Sequence, residues 1–64
     1  MWRIVTSETF GETVPDGLRD DRGFVCQFLA PTYRPGQDAR YTDECALLRK
    51  HAEIMCAALN REAP

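Results

Sequence analysis

Residues 42–61 read TDECALLRKHAEIMCAALNR, a stretch that contains no glycine and no proline. Most of it consists of alanine, leucine, arginine, lysine, glutamate and methionine, the residues with the highest helix propensities. Thr42 is suited to cap the amino end, and Arg61 lies where a positive charge favours the carboxyl end of the helix dipole. The stretch therefore predicts one long helix at about 42–61, with an earlier start at Asp38 as the alternative.

The apolar residues of this helix fall on two neighbouring arcs when successive residues are placed about 100° apart. The first arc predicts the face that packs on the rest of the chain, and it holds Tyr41, Cys45, Leu48, Ala52, Met55, Cys56 and Leu59. The second arc, here named the second stripe, holds Leu47, His51, Ile54 and Ala58. The residues expected to face water are Arg49, Lys50, Glu53 and Asn60.

Two segments before the helix have the alternation that is typical of β-strands. Residues 2–6, WRIVT, are rich in β-branched and aromatic side chains. Residues 23–29, GFVCQFL, place three side chains on one face that we expect to be the core face: Phe24, Cys26 and Phe28. Residues 10–14 are a candidate for a third strand. Turns are favoured at Gly11, at Pro15-Asp16-Gly17 and at Asp20-Asp21-Arg22-Gly23.

Together these elements predict an α+β fold of ββα type. A small antiparallel β-hairpin of two strands, or of three if residues 10–14 take part, packs against one long C-terminal amphipathic helix. Residues 30–41 are expected to form an exposed loop, because Pro31 ends the second strand. The 64 residues make one domain, which buries only about 60% of the surface of its unfolded chain. So small a domain usually gains stability from disulfides, a metal or a partner subunit.

The cysteines do not predict a covalent or metal staple. Cys26, Cys45 and Cys56 are odd in number and form no CxxC pair. On one helix, Cys45 and Cys56 stand about 16 Å apart, too far for a disulfide. We expect reduced, buried thiols, no metal and no cofactor. The first residues turn polar at Thr6, so neither a signal peptide nor a membrane span is expected, and the predicted location is the cytoplasm.

Catalytic patterns are not found either. His51 is the only histidine, and its helical spacing points it away from Cys45 and Cys56, which leaves only Cys26 as a possible partner for a cysteine–histidine pair. The acids Asp16, Asp20 and Asp21 lack the EF-hand pattern and are explained by turn formation. The glycines match no phosphate-binding loop. The sequence thus favours a non-enzymatic protein.

Charge bears on the class of partner. Eight lysines and arginines are scattered among ten acids, giving a net charge of −2, whereas binding to a phosphate backbone requires clustered basic residues. Nucleic acid is therefore a disfavoured partner. One alternative remains a nucleic-acid-associated regulator that uses basic residues on or near the helix, namely Arg40, Arg49, Lys50 and Arg61. Another alternative is a structural subunit of a larger assembly.

The second stripe is the candidate functional surface. A small sheet does not cover both arcs of the helix, and exposed apolar patches tend to mark interfaces. One interpretation makes Leu47, His51, Ile54 and Ala58 a docking surface for another protein or for a second copy in a homodimer. The competing interpretation lets the 30–41 loop fold over the stripe, with Tyr33 or Leu18 as its cover. We take a protein-binding module as the leading hypothesis.

The order of these motifs also suggests a relationship. A Trp2-x-Ile4-Val5 strand, a Gly23-x-Val25 strand after an acidic turn, and an alanine- and leucine-rich final helix resemble the short uncharacterised accessory proteins of bacteriophages and prophages. Such proteins often bind a host protein and block or redirect it, as anti-CRISPR proteins and transcription inhibitors do. The resemblance implies a phage or prophage accessory protein that modulates a host protein, and likeness of fold does not choose the target.

Overall fold

A computed structural model describes residues 1–62 of the chain. Strand β1 spans Arg3–Thr9, strand β2 spans Glu12–Arg19, strand β3 spans Val25–Gln27, and helix α1 spans Asp38–Glu62. The strands form one antiparallel sheet in the order β1-β2-β3, so β2 is the central strand. The predicted α+β fold, with one long C-terminal helix on a small sheet, is confirmed.

A two-residue turn joins β1 to β2. Phe10 and Gly11 both have positive φ angles, of 52° and 78°, and Thr9 pairs with Glu12 on the neighbouring strand. Two successive positive φ angles are the signature of the turns that join twisted strands. Phenylalanine is strained there, but the Phe10 ring lies 4.6 Å from the ring of Tyr33, and this contact offsets part of the strain.

The expected turn at Pro15-Asp16-Gly17 is wrong, because all three residues belong to β2. Pro15 and Gly17 pair with successive residues of β1, Thr6 and Val5, so Asp16 is the extra residue of a β-bulge. A bulge tolerates a proline, which has no N–H to give to the ladder. It also resets the alternation of the strand, so the buried residues of β2 come in two adjacent pairs, Val14-Pro15 and Gly17-Leu18.

The two predicted strands have different bounds in the structure. The first is longer than residues 2–6 because it continues to the β1–β2 turn, and the second is shorter than residues 23–29. Gly23, with a φ of 94°, still belongs to the preceding turn, which leaves Phe24 60% exposed. The expectation that Phe24 packs in the core is therefore wrong, whereas Cys26 and Phe28 are half-buried.

Helix α1 begins at Asp38, the earlier of the two predicted starts. Thr42 lies inside the helix, so its predicted role as cap is wrong. The Tyr41 amide donates to the Gln37 carbonyl at 3.0 Å, and the Tyr33 hydroxyl donates to Asp38 Oδ1 at 2.7 Å. The hydroxyl of a loop residue thus contacts the first helical residue.

Buried side chains of α1 face the central strand. Val14, Tyr41 and Cys45 form the core cluster, and Tyr33 and Leu48 pack against it. The Tyr41 ring meets the Tyr33 ring edge-on at 5.4 Å. The first predicted arc is confirmed for Tyr41, Cys45 and Ala52, which are buried, but Met55 remains 39% exposed.

Asn60 was predicted to face water on the polar side of the helix, and this prediction is wrong. Its amide group accepts a hydrogen bond from the Trp2 backbone N–H at 2.7 Å and donates one to the Trp2 carbonyl at 3.1 Å. The Cys56 thiol donates to the same carbonyl at 3.3 Å. Arg49, also expected to face only water, donates to the Thr13 carbonyl. The buried face is therefore rotated toward Asn60 and away from Met55.

The molecule is elongated for its size. Its radius of gyration is 13.0 Å, whereas a compact chain of this length has about 11 Å. Its accessible surface is 4911 Å², whereas about 4,200 Å² is typical of a compact monomer of 7.3 kDa. The reason is the 25-residue helix, about 37 Å long, which is longer than the sheet that it covers.

Asp20 organises the turn between β2 and β3. Its Oδ1 accepts hydrogen bonds from the backbone amides of Arg22 at 2.9 Å and Phe24 at 3.0 Å. The Gly23 amide donates to the Asp20 carbonyl at 3.2 Å. The predicted turn at residues 20–23 is confirmed, and the Asp20 side chain is buried inside it.

We expect the fold to lose stability in acid because Asp20 becomes protonated. Burial alone would raise the pKa of Asp20, but the hydrogen bonds from Phe24 and Arg22 outweigh it and lower the pKa below 3.8. A lowered folded pKa means that the carboxylate stabilises the fold above pH 3.8, and that this contribution is lost as the pH falls below that value. The thermal midpoint should therefore fall as the pH is lowered from about 4 through the lowered pKa of Asp20.

The matched variant is Asp20→Asn, which keeps an acceptor oxygen but does not titrate. Its thermal midpoint should change less with pH than that of the wild type. Asp43→Asn is the control, because Asp43 is exposed on α1, whereas the terminal ammonium of Met1 and the Arg3 side chain lower the pKa of Asp21 as well. A wild-type pH slope in Asp20→Asn would contradict the role given to this carboxylate.

Candidate functional site

The second stripe lies on the side of α1 that points away from the sheet. Leu47 is 53% exposed and Ile54 is 57% exposed, whereas Ala52 between them in sequence is fully buried. At 100° per residue, Ile54 is rotated by about 160° from Ala52 around the helix axis. His51 is exposed and Ala58 is half-buried. The four residues predicted to share a helix face are therefore brought together, with the two largest aliphatic side chains in solvent.

The side chains proposed as a cover do not reach the stripe. Tyr33 packs on the core cluster at the other side of the helix, and Leu18 is fully buried in the central strand. Among residues 1–62, the cover expected from Tyr33 or Leu18 is thus absent. The competing interpretation of the stripe is wrong for these two residues.

The loop instead forms one wall of a groove beside the stripe. This groove has a volume of about 400 Å³ and is bounded by loop residues 29–32 and by the helix. Leu29, at its rim, is 95% exposed. The helix wall consists of Glu44, Leu47, Leu48 and His51. The groove therefore extends the apolar surface of the stripe sideways, onto the segment that follows β3.

Charged residues stand at both ends of the stripe. The stripe residues are spaced by four, three and four positions, which is the spacing of a coiled-coil seam. Glu44 precedes Leu47 by three residues and Arg61 follows Ala58 by three, so both continue the same seam. Glu44 Oε1 accepts a hydrogen bond from Arg40 Nε at 3.0 Å, and both side chains are exposed. Arg40 precedes Glu44 by four residues and continues the same seam, so the seam is apolar in the middle, carries the Arg40–Glu44 pair at one end and is basic at Arg61 at the other.

The residues considered for catalysis or metal binding do not converge. Cys45 is buried in the core, Cys26 and Cys56 are half-buried, and all three are free thiols. Burial, followed by the contact with Cys45, raises the pKa of Tyr41. Within residues 1–62, His, Cys, Asp and Glu form no group of three that could hold a metal ion.

The basic residues of the nucleic-acid alternative are spread around the helix. Arg40 and Arg49 lie nine residues apart, which places them about 180° apart on the helix circumference. Arg49 is turned toward the Thr13 carbonyl, and Arg40 is paired with Glu44. Lys50 and Arg61 are exposed within about 80° of Arg40 around the helix, but Arg61 lies about 31 Å from Arg40 along the helix axis. The four residues thus do not share one face.

Sequence reasoning found the stripe but missed the groove and the charged ends. The helical spacing already placed Glu44 and Arg61 on the seam, whereas nothing in the sequence placed Leu29 beside the helix.

A bilayer-crossing helix is absent from residues 1–62, since none there combines sufficient length with sufficient apolar character. In comparisons with protein-family models, with curated proteins and with solved structures, no match to this chain was found.

Proposed function

We propose that this chain is a non-enzymatic protein-binding module whose second stripe docks on a protein partner, either a foreign chain or a second copy of itself. The observation that carries the proposal is the exposure of Leu47 and Ile54, which lie two helical turns apart on one line of α1 and are both more than half exposed. Helices that present apolar residues at such spacing are a recurrent means of protein recognition.

The energetics favour burial of this surface in a complex. Fully burying a leucine or isoleucine side chain stabilises by about 1.5 to 3 kcal/mol, so covering the exposed half of each contributes about 1 kcal/mol or more. The core of the isolated chain is small, with Val14, Leu18, Tyr41, Cys45 and Ala52 as its buried hydrophobic residues. Such a domain gains from apolar contacts supplied by a partner.

The resemblance to phage and prophage accessory proteins adds a biological setting to the proposal. In that setting the module, as a single chain or as a dimer, binds a host protein and changes what that protein does. The three free thiols suit the reducing cytoplasm, where cysteines are kept reduced. Both points support the proposal without identifying a target.

A photo-cross-linking amino acid at position 54 tests the proposal in living cells. We expect a covalent adduct with a protein, whether a second copy or a foreign chain, because Ile54 would lie inside the interface. The same residue at position 53 is the matched control, since Glu53 is exposed but outside the stripe. Gel mobility and mass spectrometry of the adduct give the readout. Equal yields at the two positions, or no adduct from positions 47 and 54, would refute the stripe as a docking surface.

A further inference from the structure

We propose that the partner on the second stripe is a second copy of this chain, whose α1 runs antiparallel to the first across a two-fold axis. The inference rests on the proposed protein-binding function and names its partner. The register of the seam, the charges at its ends and the surface that the isolated chain exposes all support this arrangement.

The seam is self-complementary when the second helix is reversed. An axis between His51 and Ile54 sets Leu47 opposite Ala58, and His51 opposite Ile54, with every contact made twice by symmetry. The large side chain of Leu47 thus meets the smallest one of the stripe. This allows the two helices to approach closely, as knobs-into-holes packing requires.

The charges at the ends of the seam select the antiparallel direction. In this register Glu44 of each copy meets Arg61 of the other, so two ion pairs flank the apolar middle. A parallel pair would instead set Glu44 against Glu44 and Arg61 against Arg61, and like charges in such positions oppose association. Lys50 approaches its own counterpart at the solvent-exposed rim, where screening makes the repulsion small.

In the antiparallel dimer, Met55 of the second copy lies on the side of the stripe where the groove is. Met55, which is 39% exposed, flanks the seam on the side of the 29–32 loop. In the antiparallel register, Met55 of the second copy comes level with position 50, one residue before His51 at the edge of the groove. There the flexible methionine side chain can fill the irregular space beside Leu29.

The exposed area matches what a dimer of this kind needs. The accessible surface of 4911 Å² exceeds the value of about 4,200 Å² for a compact monomer by roughly 700 Å². Each partner in a standard protein interface buries about 800 Å². The surplus surface of the long helix is therefore of the size that one half of an interface covers.

Sedimentation equilibrium of the full chain tests the proposal directly. We expect a reversible dimer at micromolar concentrations, and a dissociation constant that rises about a hundredfold or more in Ile54→Asp, because each dimer would exchange two buried isoleucine side chains for two buried carboxylates. Glu53→Ala, outside the stripe, should leave the constant unchanged. Circular dichroism must show equal helix content, so that loss of the dimer is not loss of the fold. A chain that stays monomeric up to millimolar concentration overturns the proposal, as does a dimer that Ile54→Asp leaves intact.

A charge swap tests the register even if Ile54→Asp does not fold. Arg61→Glu alone should raise the dissociation constant about tenfold, since it sets two glutamates against Glu44 residues. Adding Glu44→Arg should restore it to within about threefold of the wild type. A double variant no tighter than the single one overturns the antiparallel register.

The two experiments separate this inference from the proposed function. A monomeric chain that still forms position-54 adducts with a foreign protein would overturn the second copy as partner while keeping the protein-binding function. A chain that forms neither dimers nor adducts would overturn both.

Discussion

Replacing Gly17 with alanine is expected to remove most of the stability of the fold. A Cβ atom at Gly17 would lie well inside van der Waals contact of the Cys26 carbonyl oxygen, and 3.3 Å from both the Cys26 carbonyl carbon and the Gln27 Cα. These are backbone atoms of β3, which cannot rotate away as a side chain can. Overpacking costs about 1 to 3 kcal/mol where side chains move, so we expect about 3 kcal/mol or more here. The whole domain has only roughly 3 to 10 kcal/mol.

Urea unfolding measures this effect. Gly17→Ala should unfold at a much lower urea concentration than the wild type, and amide exchange should show that the residues of β3 have lost protection. Thr13→Ala is the matched control, because Thr13 is an exposed residue of the same strand, and its replacement should change the free energy of unfolding by less than about 0.5 kcal/mol. Equal midpoints for the wild type and Gly17→Ala would show that β2 and β3 do not approach as closely as described.

Gly17 also shows why the central strand was predicted only at its start, from the candidate strand at residues 10–14. Local propensity predicts a turn at Pro15, Asp16 and Gly17. It does not take account of the strands that pair with these residues on either side. In the structure the three residues serve a bulge and a close approach between strands, so glycine is required by its neighbour Cys26 rather than by its own φ angle. Local preference was overruled by pairing between segments distant in sequence.

The helix was predicted well because its signals are local. An unbroken run of helix formers and a spacing of apolar residues over five turns establish both the element and the identity of Tyr41, Cys45 and Ala52 as buried residues. Its first residue was harder to predict. The contact between the Tyr33 hydroxyl and Asp38 comes from the loop, whose path is not encoded in helix propensity.

The aromatic side chains show the limit of periodicity. Phe24 sits on the face that alternation assigns to the core, yet it remains in the turn and is exposed. The aromatic cluster is built instead from Phe10, Tyr33 and Tyr41, which come from a hairpin turn, a loop and the helix. Such a cluster depends on tertiary structure, and no window of sequence contains it.

The candidate site was likewise predicted only in part. Leu47 and Ile54 were predicted to lie outside the sheet-facing arc, because two arcs of apolar residues exceed what a small sheet covers, and they are exposed. Asn60 was assigned to solvent, since nothing local indicates that the Trp2 backbone will lie against it. Leu29 likewise joins the groove only because the chain after β3 passes along the helix.

Leu18→Ala is expected to destabilise the domain by about 2 to 5 kcal/mol. Leu18 is fully buried in the central strand, where it pairs with Ile4 of β1 and Cys26 of β3. Truncation removes three carbon atoms from a site bounded on both sides by hydrogen-bonded strands. Those strands cannot close the cavity without breaking their pairing. The loss in the free energy of unfolding is therefore larger than the free energy of transferring the removed carbon atoms from the interior to water.

Leu29→Ala removes the same atoms from a side chain that is 95% exposed, so it isolates the contribution of burial. Differential scanning calorimetry should show a drop in midpoint of more than about 10 °C for Leu18→Ala, since 1 kcal/mol corresponds to about 4 to 8 °C in a domain of this size. Leu29→Ala should lie within about 3 °C of the wild type at concentrations where the chain is monomeric. Similar drops in the two variants would mean that the sheet does not enclose Leu18. In that case the core of the domain would lie elsewhere in the chain, and its small size would no longer favour a partner surface.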